Sequence, residues 1–343
     1  MQSLRIYFSR RRTWVRRLLL LVFSLLTISA VLWFTPTAYY VTAPGAAIDT
    51  SRLVAVQGGA THSDNLYMLI VATQPANLFW YLYAKVDHRA DLETRTQFLG
   101  TGIADYQKYL EMTRRMMSDS QQTAKALALQ HLGYGQGVRT DGAEVSDLVK
   151  DGPAASVLKP GDVITALNGK PVTKREDLVN LTQGLPGGAP VALKLRRGGK
   201  ELALTVPTAA HPDPARKGSA YFGILLRDSL TFDIPIPVAI NTGSISGPSA
   251  GMMFTLQIID QLSPQPLAPH MRVAGTGTIE PDGSVGAIGG VQQKVYSAEA
   301  AGARVMFVPR ANYADAAKVA TRIAVVPVDT YKDAVAWLKA HHA

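Results

Sequence analysis

Two short segments hold residue types that can do chemistry together. Gly247-Pro248-Ser249-Ala250-Gly251 sets a serine on a glycine-flanked turn that opens a helix. Gly289-Gly290-Val291-Gln292-Gln293-Lys294 sets a lysine on a second helix, behind a second glycine turn. A serine hydroxyl is a weak nucleophile near neutral pH and needs a base beside it. A lysine serves as that base only where its surroundings keep it neutral. Lys294 lies between Val291 and Val295, and Ala298, Ala300 and Ala301 follow on the same helix, a face that a fold can bury. Burial without a counter-charge lowers a lysine pKa by up to about 3–5 units. A neutral amine can then take the serine proton and later return it to a leaving amine. The pair reads as a Ser-Lys hydrolase. The plainer readings are a helix start built from small residues at Ser249 and a solvated Lys294, the usual fate of lysine.

Other matches are weaker. The serine segment also fits G-x-S-x-G, the nucleophile elbow of α/β-hydrolases. That fold needs an acid and then a histidine downstream. Only His270, His341 and His342 follow Ser249, and His270 sits in a proline-rich loop. Ser156-Val157-Leu158-Lys159 fits S-x-x-K, but its companion motifs are missing and it lies in a turn-rich stretch. Gly133, Gly135 and Gly137 do not open a strand-turn-helix nucleotide site. There is no H-E-x-x-H run and no carboxylate cluster at metal spacing, so no metal is expected. No G-x-x-x-x-G-K-[ST] run occurs, so no ATP site and no other cofactor is proposed. Zero cysteines exclude a thiol nucleophile, disulfides and thiolate metal sites.

These residues need elements to hold them. With 343 residues the chain has room for two or three domains, and 47% hydrophobic with 18% charged residues is a globular composition. Arg5, Arg10, Arg11, Arg12, Arg16 and Arg17 supply six of the nine net positive charges. No basic stripe for phosphates stands out beyond them, and nucleic acid is not an expected partner. Leu18 to Phe34 is an uncharged run that, extended to Val41, reaches the roughly 20 residues of a bilayer span. Trp33, Tyr39 and Tyr40 stand at its far end, where interfacial rings belong. With arginines only on the near side, the N-terminus is expected in the cytoplasm and residues 42–343 outside it. An uncleaved anchor at 18–41, behind a basic segment at 1–17, is favoured over a cleaved signal peptide, whose apolar core is shorter.

Residues 42–132 read as a small α/β region. It starts with a Pro44-Gly45 turn and has strands near Leu53–Val56 and Tyr67–Ala72. An aromatic helix at Leu78–Ala84, which could face a partner or the membrane but is more often core, and a long helix from Ala104 to Leu132 follow. Residues 133–208 alternate strands and turns, with a tight Asn168-Gly169 hairpin and a helix over Arg175–Leu185. Residues 209–219 (His211, Pro212, Pro214, Lys217, Gly218) read as a linker. Residues 220–343 read as an α+β or α/β domain: a helix from Pro248 to about Leu262, a hairpin around Glu280-Pro281-Asp282-Gly283, a helix Val291–Ala301, then strand, helix Tyr313–Thr321, strand and helix. The fold class is multidomain α+β.

Gly152-Pro153-Ala154-Ala155, Leu158-Lys159-Pro160-Gly161-Asp162-Val163-Ile164 and Asn168-Gly169-Lys170-Pro171-Val172 resemble a PDZ domain of the bacterial protease-associated type. Such domains bind extended peptides along a sheet edge. Their carboxylate loop usually reads apolar-Gly-apolar, and Leu132-Gly133-Tyr134 is the best match. Ser249 and its glycines, together with Gly275-Thr276-Gly277, Gly283-Ser284-Val285, Ile288-Gly289-Gly290-Val291 and Lys294, resemble the proteolytic domain of Lon proteases. That resemblance implies a Ser-Lys dyad of Ser249 as nucleophile and Lys294 as base. Thr276 matches a threonine beside the dyad that can hydrogen-bond the lysine. Thr278 stands where Lon often has Glu. Anchor, PDZ and proteolytic domain together resemble the membrane-anchored, PDZ-containing Lon-like serine proteases of bacteria. The resemblance implies ATP-independent cleavage of protein or peptide substrates outside the cytoplasm, with a homo-oligomer as a further implication. The alternatives are a catalytically silent PDZ peptide-binding scaffold and an α/β-hydrolase-type esterase.

Overall fold

The computed structural model describes residues 2–341 except 61, 63, 64, 101–104, 214, 215 and 217, with side chains from residue 14 onward. The side chains of Arg5, Arg10, Arg11 and Arg12, the expected helix start Ala104, the linker residues Pro214 and Lys217, and His342 lie outside the described residues. The chain forms two compact units, one from Met1–Ala128 with Ile236–Ala343 and one from Leu129–Pro235.

The first unit begins with α1 (Gln2–Phe34), whose Trp14–Phe34 segment has a mean hydropathy of 2.2 and is nowhere buried. Among the described residues it is the one helix long and apolar enough to cross a membrane. β1 (Pro36–Asp49), β2 (Val54–Val56) and β3 (Leu66–Asn77) follow. β1 pairs antiparallel with β3 from Pro36↔Asn77 to Asp49↔Tyr67. Pro44-Gly45, expected as a turn, lies inside β1 at a register shift. Proline cannot donate to the ladder, so an irregularity there accommodates it. α2 (Leu78–Val86) is capped by Asn77, whose side chain accepts from the Trp80 N–H. β4 (Asp91–Thr94) joins the other edge of β1, and α3 (Arg95–Leu99) opens with a Thr94/Gln97 capping box. α4 (Tyr106–His131) buries Thr113, Met117, Ser120, Ala124 and Leu127, steps of three and four that keep them on one face.

The second unit contains β5 (Val138–Leu148), β6 (Val163–Leu167), β7 (Lys170–Pro171), α5 (Arg175–Gln183), β8 (Val191–Arg197), β9 (Lys200–Val206), β10 (Ala209–Ala210), β11 (Ala220–Tyr221) and β12 (Ile224–Phe232). Its main sheet runs β12-β5-β6-β8-β9, with β7 on β6. Asn168 and Gly169 both have positive φ in the β6–β7 turn, as a tight hairpin requires. Leu158, Ile164, Leu167, Leu178, Leu193 and Phe222 fill the core. The boundary expected at 219/220 moves. β12 pairs with β5 from Ile224↔Leu148 to Phe232↔Val138, so residues 220–235 belong to this unit. The expected linker also contributes β10, paired with β11.

The chain then returns to the first unit with β13 (Val238–Ile240), α6 (Gly251–Leu262), β14 (Val273–Gly275), α7 (Val291–Ala300), β15 (Val305–Pro309), α8 (Tyr313–Ala317), β16 (Ala324–Val328) and α9 (Tyr331–Ala340). The sheet order is β16-β15-β14-β3-β1-β4, and β13 pairs with β2. Residues 42–128 are therefore not a region apart: β3 lies parallel to β14, and β1 and β4 extend the same sheet. The expected hairpin keeps its turn, where the Gly283 N–H bonds the Glu280 carbonyl, but 284–288 forms no strand. α6 is buried over all but its last residue.

Candidate active site

Ser249 stands two residues before α6, in a loop held from several sides. Thr113 and Ser120 of α4 reach it: the Gly247 N–H bonds the Thr113 carbonyl at 3.0 Å, and Ser120 Oγ bonds the Pro248 carbonyl at 3.1 Å. Gly251 lies so close to Ser120 and Ile279 that a Cβ there would overlap both. From the sheet side, the Gly277 N–H and the Thr276 hydroxyl bond the Ser249 carbonyl at 2.8 and 3.1 Å. Pro248, expected inside the helix, instead forms the turn before it, and its carbonyl accepts the Gly251 N–H.

Lys294 occupies the second turn of α7. The helix starts after Gly290, whose φ of 64° is a left-handed conformation that suits glycine. A side chain at Gly290 would also meet Val71 of β3. Lys294 Nζ lies 2.9 Å from Ser249 Oγ and 2.9 Å from Thr276 Oγ1. Lys294 is 2% exposed and Thr276 is fully buried, while Ser249 is half-buried. Desolvation lowers the Lys294 pKa to about 7. The Thr276 hydroxyl donates to the Ser249 carbonyl, so it accepts from Nζ. A neutral amine has one lone pair, which this arrangement leaves for the Ser249 hydroxyl.

Ser249, Lys294 and Thr276, expected from the sequence, meet here, and Thr113 and Ser120 join them without having been expected. The available signal was polar residues at two positions of the apolar stripe of α4. The α/β-hydrolase alternative lacks its framework. The strand before Ser249, β13, ends at Ile240 and among the described residues pairs with β2 alone, and none of the described strands leads directly into the serine turn.

Leu132-Gly133-Tyr134, chosen for a carboxylate loop, closes α4 instead. Gly133 has φ 80°, its N–H bonds the Gln130 carbonyl, and the Tyr134 N–H bonds the Leu129 carbonyl. This is a helix C-cap, and two of its amides are thereby engaged. The groove of this unit opens between α5 and the β11–β12 stretch, lined by Leu178, Val179, Thr182, Tyr221, Phe222 and Ile224 among others. β12 is an end strand of its sheet. Phe222-Gly223-Ile224 has the same apolar-Gly-apolar pattern, and Gly223, at φ 71°, approaches Gly152 too closely for a side chain. The pattern was present in the sequence at both places. Only the pairing of β12 with β5 shows which one borders the groove.

Two protein-family models match the chain, and the second begins inside β12, before the end of the second unit. Residues 130–208 match the PDZ domain family, and residues 227–337 match the Lon protease (S16) C-terminal proteolytic domain. A "Probable periplasmic serine endoprotease DegP-like" of Pseudomonas putida (strain W619) is 44% identical over 73 residues, covering 21% of this chain and 15% of that protein. The Lon protease of Mesomycoplasma hyopneumoniae (strain 232) is 36% identical over 103 residues, covering 28% of this chain and 12% of that one. Lon protease 2 of Thermus thermophilus is 35% identical over 105 residues, 31% of this chain and 13% of the relative. The chain thus spans well under a fifth of the length of these relatives. Among solved structures, the PDZ domain of the SdrC-like protein from Listeria monocytogenes is 28% identical and covers 25% of this chain and 87% of that one, with a TM-score of 0.23. The chain is multidomain α+β: an N-terminal apolar helix, an α/β sheet region, a PDZ domain and a Lon-type S16 proteolytic domain, the last of which implies a serine peptidase.

Proposed function

We propose that this chain is an ATP-independent, membrane-anchored serine endopeptidase in which Ser249 is the nucleophile, Lys294 the base and Thr276 the residue that holds the base. Its substrates are extracytoplasmic proteins selected in part by the PDZ groove. One observation carries the reading: the Lys294 amine is stripped of water and sits 2.9 Å from the Ser249 hydroxyl, with a pKa near 7.

Lys294 takes the Ser249 proton as Oγ attacks the peptide carbonyl. A tetrahedral intermediate forms, and its oxyanion needs preorganised donors. The N–H groups of Gly251 and Met252 bond the carbonyls of Pro248 and Gly277, which points to those of Ser249 and Ala250, at the positive end of α6. Lys294 then gives its proton to the departing amine, and the acyl-enzyme forms. In the second half it takes a proton from water as hydroxide attacks the acyl carbonyl, then passes that proton to the departing Ser249 Oγ, which releases the acid and restores Ser249. Thr276 accepts from Nζ throughout and aims its lone pair at Oγ.

The sequence holds no P-loop run, which supports nucleotide independence. Trp14–Phe34 supports an anchor, and Arg16 and Arg17 on its near side support a cytoplasmic N-terminus. For the PDZ unit, the groove beside Phe222-Gly223-Ile224 replaces Leu132-Gly133-Tyr134 as the peptide site.

The test uses full chain in membranes and a fluorescently labelled unfolded protein, with and without ATP. Cleavage without ATP, lost in both Ser249→Ala and Lys294→Met with folding unchanged, is expected. Unchanged turnover in Lys294→Met rejects the dyad, and cleavage only with ATP rejects the nucleotide claim.

A further inference from the structure

Helix α2 has a composition that favours core over a partner-facing or membrane-facing surface, yet none of its nine residues is buried. Phe79 and Leu82 are exposed, and Val86 is 87% exposed. Their spacing of three and four puts them on one face. Three large apolar side chains on one face of a helix with no buried residue leave that face without a protein cover.

What covers it is indicated by where α2 begins. The Leu78 N–H bonds the Thr35 carbonyl at 2.9 Å, and the Asn77 side-chain amide bonds the Trp33 carbonyl at 3.0 Å. The Trp33 and Phe79 rings lie 6.0 Å apart. The first turn of α2 is therefore fastened to the end of the helix that can cross a bilayer, at the level where its apolar run stops. Trp33, Tyr39, Trp80, Tyr81 and Tyr83 gather there, with Tyr39 and Tyr81 5.2 Å apart and Trp80 and Tyr83 5.5 Å apart. Tryptophan and tyrosine are the side chains that favour the headgroup layer. Lys85, 5.5 Å from the centre of the Tyr81 ring, puts a cation on a long stem beside this patch, as residues at a phosphate layer do.

We propose that α2 lies in the interfacial layer of the phospholipid bilayer that α1 crosses, with Phe79, Leu82 and Val86 among the upper acyl chains and Lys85 among the phosphates. The proposal rests on reading α1 as a retained anchor. It gives the first unit a second fixed contact with the membrane, so a flexible tether is replaced by a set orientation. The segment after α2 reaches the active-site helix: the Gln293 side-chain amide bonds the Arg89 carbonyl at 3.2 Å, and His88 packs edge-on to Tyr296 at 6.3 Å. These α7 residues flank Lys294 closely, so the helix that presents the base is braced from the bilayer side.

The chain has no cysteine, so single-cysteine variants of the full protein carry one probe each. Leu82→Cys and Val86→Cys on α2, Leu25→Cys on α1 and Lys318→Cys just after α8 are labelled with an environment-sensitive fluorophore. They are placed in phosphatidylcholine/phosphatidylglycerol vesicles with lipids bearing quenchers at shallow or deep acyl positions. The expected result is blue-shifted emission at 82 and 86, quenched most by the shallow lipids. Position 25 is quenched most by the deep lipids and 318 by neither. Water-like emission at 82 and 86 beside deep quenching at 25 overturns the proposal and leaves the anchor standing. A blue shift at 82 and 86 that no lipid quenches means a protein, such as a second copy, covers α2, and also overturns it. Absence of quenching at 25 removes the anchor and the proposal with it.

Discussion

Lys294 is one buried amine with opposite effects on activity and on stability. In the proposed mechanism the neutral form is the base, so kcat/KM is expected to climb with pH and level off above an apparent pKa of about 7. A profile that levels off only near the ordinary lysine value of 10.5 would mean that the amine is hydrated in the working enzyme. The stability sign runs the other way from a salt-bridged lysine. The unfolded chain holds this proton up to about pH 10.5, whereas the folded chain releases it near 7. Between those values the unfolded state binds more protons, so stability from this site rises with pH. Below pH 7 both states are protonated and the burial cost is complete, on the order of 5 kcal/mol by linkage. Lys294→Met, nearly isosteric and apolar, removes that cost. It should abolish cleavage yet stabilise the fold by roughly 1–4 kcal/mol at pH 6, with the gain shrinking toward pH 10. Calorimetry at the two pH values checks this, and a lower melting temperature at pH 6 contradicts it. Thr276→Val keeps the shape and deletes the acceptor that orients Nζ. A lost buried hydrogen bond of about 1–3 kcal/mol corresponds to a kcat lower by roughly ten- to hundred-fold, with KM nearly unchanged.

At the scale of elements, the serine loop is shaped as much by α4 as by its own sequence. Ser120 Oγ holds the Pro248 carbonyl, and Gly251 packs against the same oxygen. Gly251→Ala drives a methyl into Ser120 and Ile279, an overpacking that costs about 1–3 kcal/mol and displaces Ser249. Combined with Ser120→Ala, part of that loss should return, because one of the two obstacles is gone. Strict additivity in a double-mutant cycle of kcat would show that the two positions do not meet. This arrangement also shows how far the sequence could be read. The meeting of Ser249, Lys294 and Thr276 was legible because serine, lysine and threonine stand among glycines at fixed turns, and most local elements followed from apolar period and turn residues. Thr113 and Ser120 were not, since their partners lie more than a hundred residues away and two polar positions on a helix stripe do not name what they face. The same limit hid the parallel pairing of β3 with β14 and the antiparallel pairing of β12 with β5 in the other unit. Strand pairing is decided by contacts, and nothing within ten residues of β12 distinguishes a strand that starts one domain from a strand that completes the previous one. Leu132-Gly133-Tyr134 lies outside the groove lining for a local reason: a glycine after a long helix is more often its cap than a ligand cradle, and Gly133 is that cap.

On the scale of the whole molecule, two units carry two kinds of recognition. The serine and lysine lie wholly within the first unit, and the α5–β12 groove wholly within the second. The PDZ unit has its own core and a buried Asp162. Both carboxylate oxygens of Asp162 bond Arg197 at 2.6 Å, and one also accepts the Lys159 N–H. The groove can therefore be altered at its surface without touching either the dyad or this internal support. Val179, half-buried on α5, lines the groove beside the apolar Leu178 and Phe222. Val179→Arg places a guanidinium where an apolar ligand side chain would sit, and desolvating that charge opposes binding. If the groove selects substrates for the dyad, this variant should raise KM for a protein substrate several-fold while leaving the turnover of a short peptide unchanged, since a short peptide fills only the region around Ser249. Equal losses on both substrates would mean that the substitution acts through folding. Equal retention on both would mean that the groove, however well formed, does not choose what the serine cuts.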